Sequence, residues 1–207
     1  AEHTGIINEL TLWVIEQACK DIVKLIKNGY NEHTISVNLS AKNLTINNLA
    51  EKVENILIKY QVPAHLLKFE LTESAFVDSQ DALIKLVDEL TALGIKVVLD
   101  DFGTGYASLS YLVNYHFSEL KIDKSFVFDL PNNPTHQVIV QTAIDMAHNL
   151  NLSITIEGVE TQEIHHLLKD MNADYAQGYL YAKALPYTDY LHFLKSQYSL
   201  KMLDSSF

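Results

Sequence analysis

The sequence is poor in the residues that mark several classes of protein. Its 207 residues include one cysteine, Cys19, which excludes an internal disulfide and disfavours a structural zinc site. No apolar run reaches the roughly 18 residues that a membrane span requires. There is no Pro/Gly/Ser-rich linker and no block of like charge, and only 4 prolines and 7 glycines are present. We therefore expect a single domain over residues 1–207, with a C-terminal tail over about 198–207.

Positive charge is also scarce. The chain has 15 basic against 26 acidic residues and a formal net charge of -11. Because nucleic-acid backbones and anionic membranes are bound by clustered cations, we expect no DNA binding and no direct membrane contact. A phosphorylated ligand would need a cation other than a side chain. We expect a cytoplasmic domain, which a longer protein could still tether to a membrane.

Apolar material is abundant by comparison. Hydrophobic residues make up 48% of the chain and charged residues 20%, enough for a sizeable core and unlike a disordered protein. Helical periodicity alternates with short strand-like runs, which predicts a parallel sheet. The six predicted strands cover 33–39, 66–71, 95–99, 117–122, 152–156 and 173–178.

Two α/β architectures fit this alternation, an open doubly wound sheet and a closed (β/α)₈ TIM-like barrel. Such a barrel typically needs eight strands and about 250 residues. The sequence opens on a helix with no strand before it, so a barrel would be N-terminally incomplete in this chain. In both architectures ligands bind at the carboxyl ends of the strands.

Polar residues recur where the predicted strands end. One such residue is readily explained as a side chain leaving a strand for solvent, but six strands ending this way favour a shared site. The residues are Asn38, Glu70, Asp100, Asp101, Lys121, Glu157 and Gln177.

The four acids at these strand ends predict a metal site. Glu70, Asp100, Asp101 and Glu157 would face one mouth, where like charges raise one another's pKa. Divalent cations relieve that repulsion, and carboxylate and amide oxygens are the ligands that Mg²⁺ or Mn²⁺ prefers. A carboxylate that bridges two ions is suited to phosphodiester hydrolysis. Lys121 would then neutralise phosphate charge or hold an attacking water.

Six short motifs in order over nearly the whole chain carry a resemblance to a known family. Each is weak by itself. They are V-N-L-S at 37–40, E-L-T-E at 70–73, D-D-F-G-T-G-Y at 100–106, K-I-D at 121–123, E-G-V-E at 157–160 and Q-G-Y at 177–179. In this the chain resembles the EAL-domain family, bacterial phosphodiesterases that open cyclic di-GMP to linear pGpG.

The resemblance implies a barrel close to the (β/α)₈ type with a site for two Mg²⁺ or Mn²⁺ ions. Asn38, Glu70 and Asp100 resemble ligands of the first metal. Asp100 would bridge to a second metal, which Asp101 and Glu157 also serve.

The resemblance also implies catalytic and supporting roles. Lys121 resembles the lysine that orients the nucleophilic water, and Gln177 the amide that supports it. Glu157 is a candidate general base as well as a ligand, although two metals sharing a hydroxide can make a separate base unnecessary. Glu160 is similar to the second acid of its motif, with a supporting role.

A glycine-containing loop follows the paired aspartates. Glu73 resembles the glutamate that anchors this loop. In the family, the loop corresponding to 102–109 moves with the metals and couples the site to a dimer contact, which implies a homodimer. Gly103 and Gly105 would give the loop its backbone freedom.

The family's Glu-Ala-Leu segment is not among the 207 residues, and A-E-H-T-G at 1–5 matches the stretch that normally follows it. In the family this segment supplies another ligand of the first metal, and an arginine near it helps to hold the phosphate. We therefore expect this chain alone to be a poor and unstable enzyme. Flanking sensor or GGDEF domains are further expectations for the full-length protein.

Three functions are compatible with the sequence. The first is a metal-dependent phosphodiesterase specific for cyclic di-GMP. The second is a catalytically silent receptor of the same fold, although such members usually carry substitutions among the acids that are intact here. The third is a barrel enzyme acting on another phosphodiester, since guanine recognition depends on the resemblance alone.

Overall fold

The computed structural model describes residues 6–75, 80–105 and 109–204. Its strands are β1 (Ile35–Leu39), β2 (Leu67–Thr72), β3 (Lys96–Phe102), β4 (Glu119–Ile122), β5 (Ser153–Ile156) and β6 (Tyr175–Ala176). Its α-helices are α1 (Ile6–Lys27), α2 (Leu49–Tyr60), α3 (Gln80–Ala92), α4 (Leu109–Asn114), α5 (Pro134–Asn149), α6 (Gln162–Asp170) and α7 (Tyr187–Asp204).

The order of the strands decides between the two predicted architectures. The sheet runs β1-β2-β3-β4-β5-β6, and each strand is parallel to the next. A doubly wound sheet reverses its order at a switch point, whereas a (β/α)₈ fold places each new strand beside the preceding one. The parallel α/β fold of barrel type is therefore confirmed over the described strands, and the doubly wound alternative is wrong.

The two faces of the sheet differ in chemistry. Alternation along each strand sends one set of side chains toward the helices, where they form the main hydrophobic core. We call this set the apolar face: Val37, Leu39, Phe69, Leu71, Val97, Leu99, Leu120, Ile122, Ile154 and Ile156. The residues that alternate with them include the apolar Val98 and a polar set that we call the polar face: Asn38, Lys68, Glu70, Asp100, Glu119, Lys121, Thr155 and, directly after β5, Glu157.

Capping and composition set the ends of two helices. α5 begins at Pro134, because the Asn133 side chain caps the helix by accepting hydrogen bonds from two backbone N–H groups and proline suits the first helical position. α7 continues into the expected tail as far as Asp204, since no glycine or proline interrupts 187–204. Across the described part of the chain, no helix is both long and apolar enough to cross a membrane.

Candidate active site

The carboxyl end of β3 brings two adjacent aspartates to the same edge of the sheet. Adjacent strand residues normally point to opposite faces. Here the register with β4 shifts between Leu99 and Phe102, and Asp101 has a φ of +56°. The Asp101 N–H donates to Asp100 Oδ1 at 3.0 Å. A left-handed residue other than glycine is uncommon and strained, and aspartate is among those that tolerate it best.

Glu157, directly after β5, completes a group of three acids. One carboxylate oxygen each from Asp100, Asp101 and Glu157 lies within 4.8 Å of the others. Glu70 on β2 joins this group through a lysine. We call Glu70, Asp100, Asp101 and Glu157 the acid cluster.

Lys121 on β4 connects the members of the acid cluster. Its Nζ lies 3.1 Å from Glu70 Oε2, 3.1 Å from Asp100 Oδ1 and 2.6 Å from Glu157 Oε1. The lysine side chain is only 5% exposed. The structure thus brings together five predicted site residues from four strands or strand ends.

Burial and charge shift the pKa values of this group. Burial raises the pKa of Glu157 despite the opposing effect of Lys121. The pKa of Asp101 is raised by burial and by the like charges of Asp100 and Asp123. Burial works to lower the pKa of Lys121, but its hydrogen bond to Glu157 and the surrounding carboxylates raise it overall. Three of the four carboxylates contact the one ammonium, and the excess negative charge of the cluster favours cation binding.

The donor set fits a divalent metal ion. Every acid of the cluster offers a carboxylate oxygen, the ligand atom that Mg²⁺ and Mn²⁺ favour. Asp100, Asp101 and Glu157 could hold one ion between them, since their oxygens are already close. Glu70 is not one of these three, and it is linked to Asp100 through the Lys121 ammonium, which lies 3.1 Å from an oxygen of each.

Two predicted amide residues border the cluster. Asn38 pairs in register with Glu70 on the neighbouring strand and is exposed. Gln177 is also exposed, and its backbone is fixed on both sides: its N–H donates to Ile156 O at 2.9 Å and its carbonyl accepts from Val159 N at 3.0 Å.

Glu160 has different surroundings. It is exposed and lines a hollow of about 490 Å³ together with Lys124, Ser125 and Phe128. The residues that line this hollow do not include the four acids of the acid cluster.

Glu73 holds the start of the loop after β3. Its buried carboxylate accepts from the N–H groups of Gly103 at 3.1 Å and Gly105 at 3.3 Å. Gly103 has a φ of +95°, and a Cβ there would lie 2.8 Å from the Phe126 ring. Gly105 is not in the left-handed region, but a Cβ on it would lie 3.3 Å from the Glu73 carboxylate. Residues 106–108, where the loop was expected to continue, are outside the described residues.

Sequence reasoning missed a second polar group on the same face. Lys68 Nζ lies 2.5 Å from Glu119 Oε2, and Thr155 Oγ1 donates to Glu119 Oε1 at 2.6 Å. We call Lys68, Glu119 and Thr155 the lower layer. A search at a period of two would have found it, since each member precedes by two positions a predicted site residue, namely Glu70, Lys121 and Glu157.

Comparison with known proteins gives a consistent result. The family model described as EAL domain matches residues 1–184. The signaling protein YkoW of Bacillus subtilis strain 168 is 37% identical over 197 residues, which cover 95% of this chain and 24% of YkoW. MucR of Pseudomonas aeruginosa, named a bifunctional diguanylate cyclase/cyclic di-GMP phosphodiesterase, is 36% identical over 90% of this chain and 27% of MucR.

A solved structure agrees in fold. The PaMucR phosphodiesterase in complex with c-di-GMP aligns with a TM-score of 0.85 and 35% identity, covering 90% of this chain and 75% of that chain. The present chain spans about a quarter of the length of the two curated relatives. Since the family model covers most of its residues, the chain belongs to the EAL-domain family.

Proposed function

We propose that this chain is the catalytic domain of a metal-dependent phosphodiesterase that hydrolyses cyclic di-GMP to linear pGpG in bacterial signalling. The observation that carries the proposal is the acid cluster gathered around Lys121 in a chain of the EAL family. The names of MucR and of the solved PaMucR complex support cyclic di-GMP as the substrate.

The proposal assigns the acids to two Mg²⁺ or Mn²⁺ ions. Asn38, Glu70 and Asp100 would hold the first ion, and Asp100, Asp101 and Glu157 the second. When bound, such ions polarise a phosphoryl oxygen and lower the pKa of a water molecule.

The protein side chains would position the water and move its proton. Lys121, already within reach of three carboxylates, would donate a hydrogen bond to the water, with Gln177 supporting it. Burial raises the pKa of Glu157, which makes its carboxylate a better proton acceptor. The water oxygen would bond to phosphorus while the water proton passes to the Glu157 carboxylate. One ester P–O bond would break, and that proton would pass to the departing oxygen, which leaves as a hydroxyl. Glu160 would have a supporting role.

The surroundings of the domain are part of the same proposal. Because the chain spans about a quarter of YkoW and MucR, we place it in a longer protein with flanking sensor or GGDEF domains. We further propose a homodimer in the cytoplasm, with the loop held by Glu73, Gly103 and Gly105 linking the site to the dimer contact. Light scattering on the purified protein tests the dimer.

The function is tested by incubating the protein with cyclic di-GMP and Mg²⁺ or Mn²⁺ and measuring the product by chromatography. The assay compares the 207-residue chain with a version extended upstream by the family's Glu-Ala-Leu segment. We expect pGpG from the extended protein and a loss of about 10³-fold in Asp100→Asn, since several kcal/mol of transition-state stabilisation depend on a metal ligand.

Asp145→Asn is the matched control, because this aspartate is exposed and its carboxylate accepts from the neighbouring Gln141 side chain at 3.0 Å. It should retain the wild-type rate. Binding of cyclic di-GMP without turnover would favour the receptor function. Neither binding nor turnover would refute the substrate.

A further inference from the structure

The lower layer repeats the chemistry of the site with the charges reversed. On β2, Lys68 precedes Glu70 by two residues, whereas on β4, Glu119 precedes Lys121 by two. Val98 of β3 pairs in register with both Glu70 and Glu119, so both ion pairs cross the same strand. The Lys68 and Glu119 side chains are 15% and 8% exposed. Two largely buried ion pairs of opposite direction are therefore stacked along the sheet.

The lower layer lies within reach of the catalytic lysine. Residues two apart on a strand lie about 6.6 Å apart along it, on the same face, and a lysine side chain can bend over that distance. Glu119 is engaged at both oxygens, by Lys68 and by Thr155. Thr155 also pairs in register with Lys121. Both carboxylate oxygens of Glu119 are therefore paired, and Lys121 remains paired with the acid cluster.

We propose that Lys68 is a positioning residue: by pairing with Glu119, it keeps the Lys121 ammonium at the acid cluster and so sets both the turnover rate and the affinity for divalent cations. The effect on turnover rests on the proposed function, whereas the effect on cation affinity requires only that the acid cluster binds a divalent ion.

The physical reason is the imbalance that follows when Lys68 is removed. Glu119 would be a buried carboxylate without its cation, which is strongly unfavourable. Lys121 is the cation two residues away on the same strand and face, and turning it toward Glu119 relieves the imbalance. The acid cluster then loses its ammonium. It should bind divalent cations more tightly and catalyse more slowly.

The test measures Mn²⁺ binding by calorimetry, without substrate, and hydrolysis kinetics in the extended protein described above. In Lys68→Met, we expect kcat to fall about 10–100-fold, the size of effect that outer residues have on a metal site. KM should change little, and Mn²⁺ should bind more tightly. Simple loss of structure would weaken Mn²⁺ binding instead.

Two further variants separate charge balance from damage to the fold. Glu119→Gln frees Lys68 to approach Glu70 and should weaken Mn²⁺ binding, the opposite direction. Lys68→Met combined with Glu119→Gln removes both charges and should return kcat and Mn²⁺ affinity toward wild type. As a control, Lys59→Met breaks an exposed pair with Glu16 and should change neither quantity.

Unchanged or weaker Mn²⁺ binding in Lys68→Met would overturn the proposal, as would a double variant as impaired as Lys68→Met. Failure of the wild-type protein to hydrolyse cyclic di-GMP would count against the proposed function alone, because the Mn²⁺ measurements do not depend on turnover.

Discussion

The buried residues on the two faces of the sheet are stabilised in different ways. On the apolar face, Phe69 and Leu99 are fully buried and pack in the hydrophobic core. On the polar face, Lys121 and Asp100 are nearly as buried, yet they are satisfied by ion pairs and hydrogen bonds. Apolar contacts do not depend on the charges of other residues, whereas the stability of a network of ion pairs depends on the balance of its charges. The site is therefore stabilised by pairing of opposite charges, and it keeps an excess of negative charge where a cation can bind.

The largest effect should come from removing the central cation. In Lys121→Met, the carboxylates of the acid cluster lose the ammonium that lies within 3.1 Å of three of them. We expect the metal-free protein to lose about 3–5 kcal/mol of unfolding free energy, as when one partner of a buried pair is removed. Saturating Mn²⁺ should recover most of this loss, because the metal replaces the missing positive charge. Urea denaturation with EDTA and with Mn²⁺ measures both quantities.

Lys24→Met provides the control for that experiment, since Lys24 pairs with Asp21 at the surface of α1. Its stability should stay close to wild type in both conditions. If Mn²⁺ did not narrow the gap between Lys121→Met and wild type, the acid cluster would not be the metal site.

On the apolar face, truncation should affect stability without affecting the site. Phe69→Ala empties a fully buried position and should lower the unfolding free energy by about 3–5 kcal/mol. Mn²⁺ affinity of the folded variant should match wild type, because Phe69 faces the helices and the neighbouring Glu70 faces the cluster. Denaturation and calorimetry in parallel test this, and a loss of Mn²⁺ affinity as large as the loss of stability would break the distinction between the faces.

A smaller loss of stability is expected at Gly178, next to Gln177, where the backbone passes close to that of Val159. A Cβ at Gly178 would lie 2.0 Å from the carbonyl oxygen of Val159, so the backbone would have to move. We expect Gly178→Ala to cost about 1–3 kcal/mol, as overpacking does, and to slow hydrolysis by displacing Gln177. Gly29→Ala is the control, because Gly29 has a φ of +89° but nothing within 4 Å of its added Cβ. It should lose stability and keep the site intact.

Much of this arrangement follows from sequence patterns, and the remainder depends on long-range register. The strand-end acids and Lys121 interrupt apolar runs, which makes them visible without a structure. The pairing of Lys68 with Glu119 joins residues 51 positions apart and follows only when β2, β3 and β4 are aligned. The left-handed Asp101 is similarly hidden, because strand alternation predicts that its side chain points away from Asp100.

The smallest predicted effect is a pH dependence that belongs to Glu157. Its pKa is raised above 4.5 in the folded protein by burial, so the folded state binds this proton more tightly than the unfolded state. The resulting stabilisation is present below pH 4.5 and is lost as the pH rises through the raised folded pKa. Glu157→Gln removes the titrating group. In EDTA, the unfolding free energy of wild type relative to this variant should therefore fall as the pH rises from 4.5 through the folded pKa of Glu157.

The pKa of Asp123 is lowered in the folded protein, so Asp123 makes the protein more stable as the pH rises, opposite to Glu157. Asp123 is present in wild type and in Glu157→Gln, and the difference between the two proteins therefore isolates Glu157. Urea denaturation at several pH values in EDTA measures the difference, and parallel curves would contradict it. In saturating Mn²⁺ the trend should reverse, because the ion binds the ionised carboxylate and its affinity increases with pH. A reversal would show that the ionised Glu157 carboxylate destabilises the metal-free protein and also binds the metal.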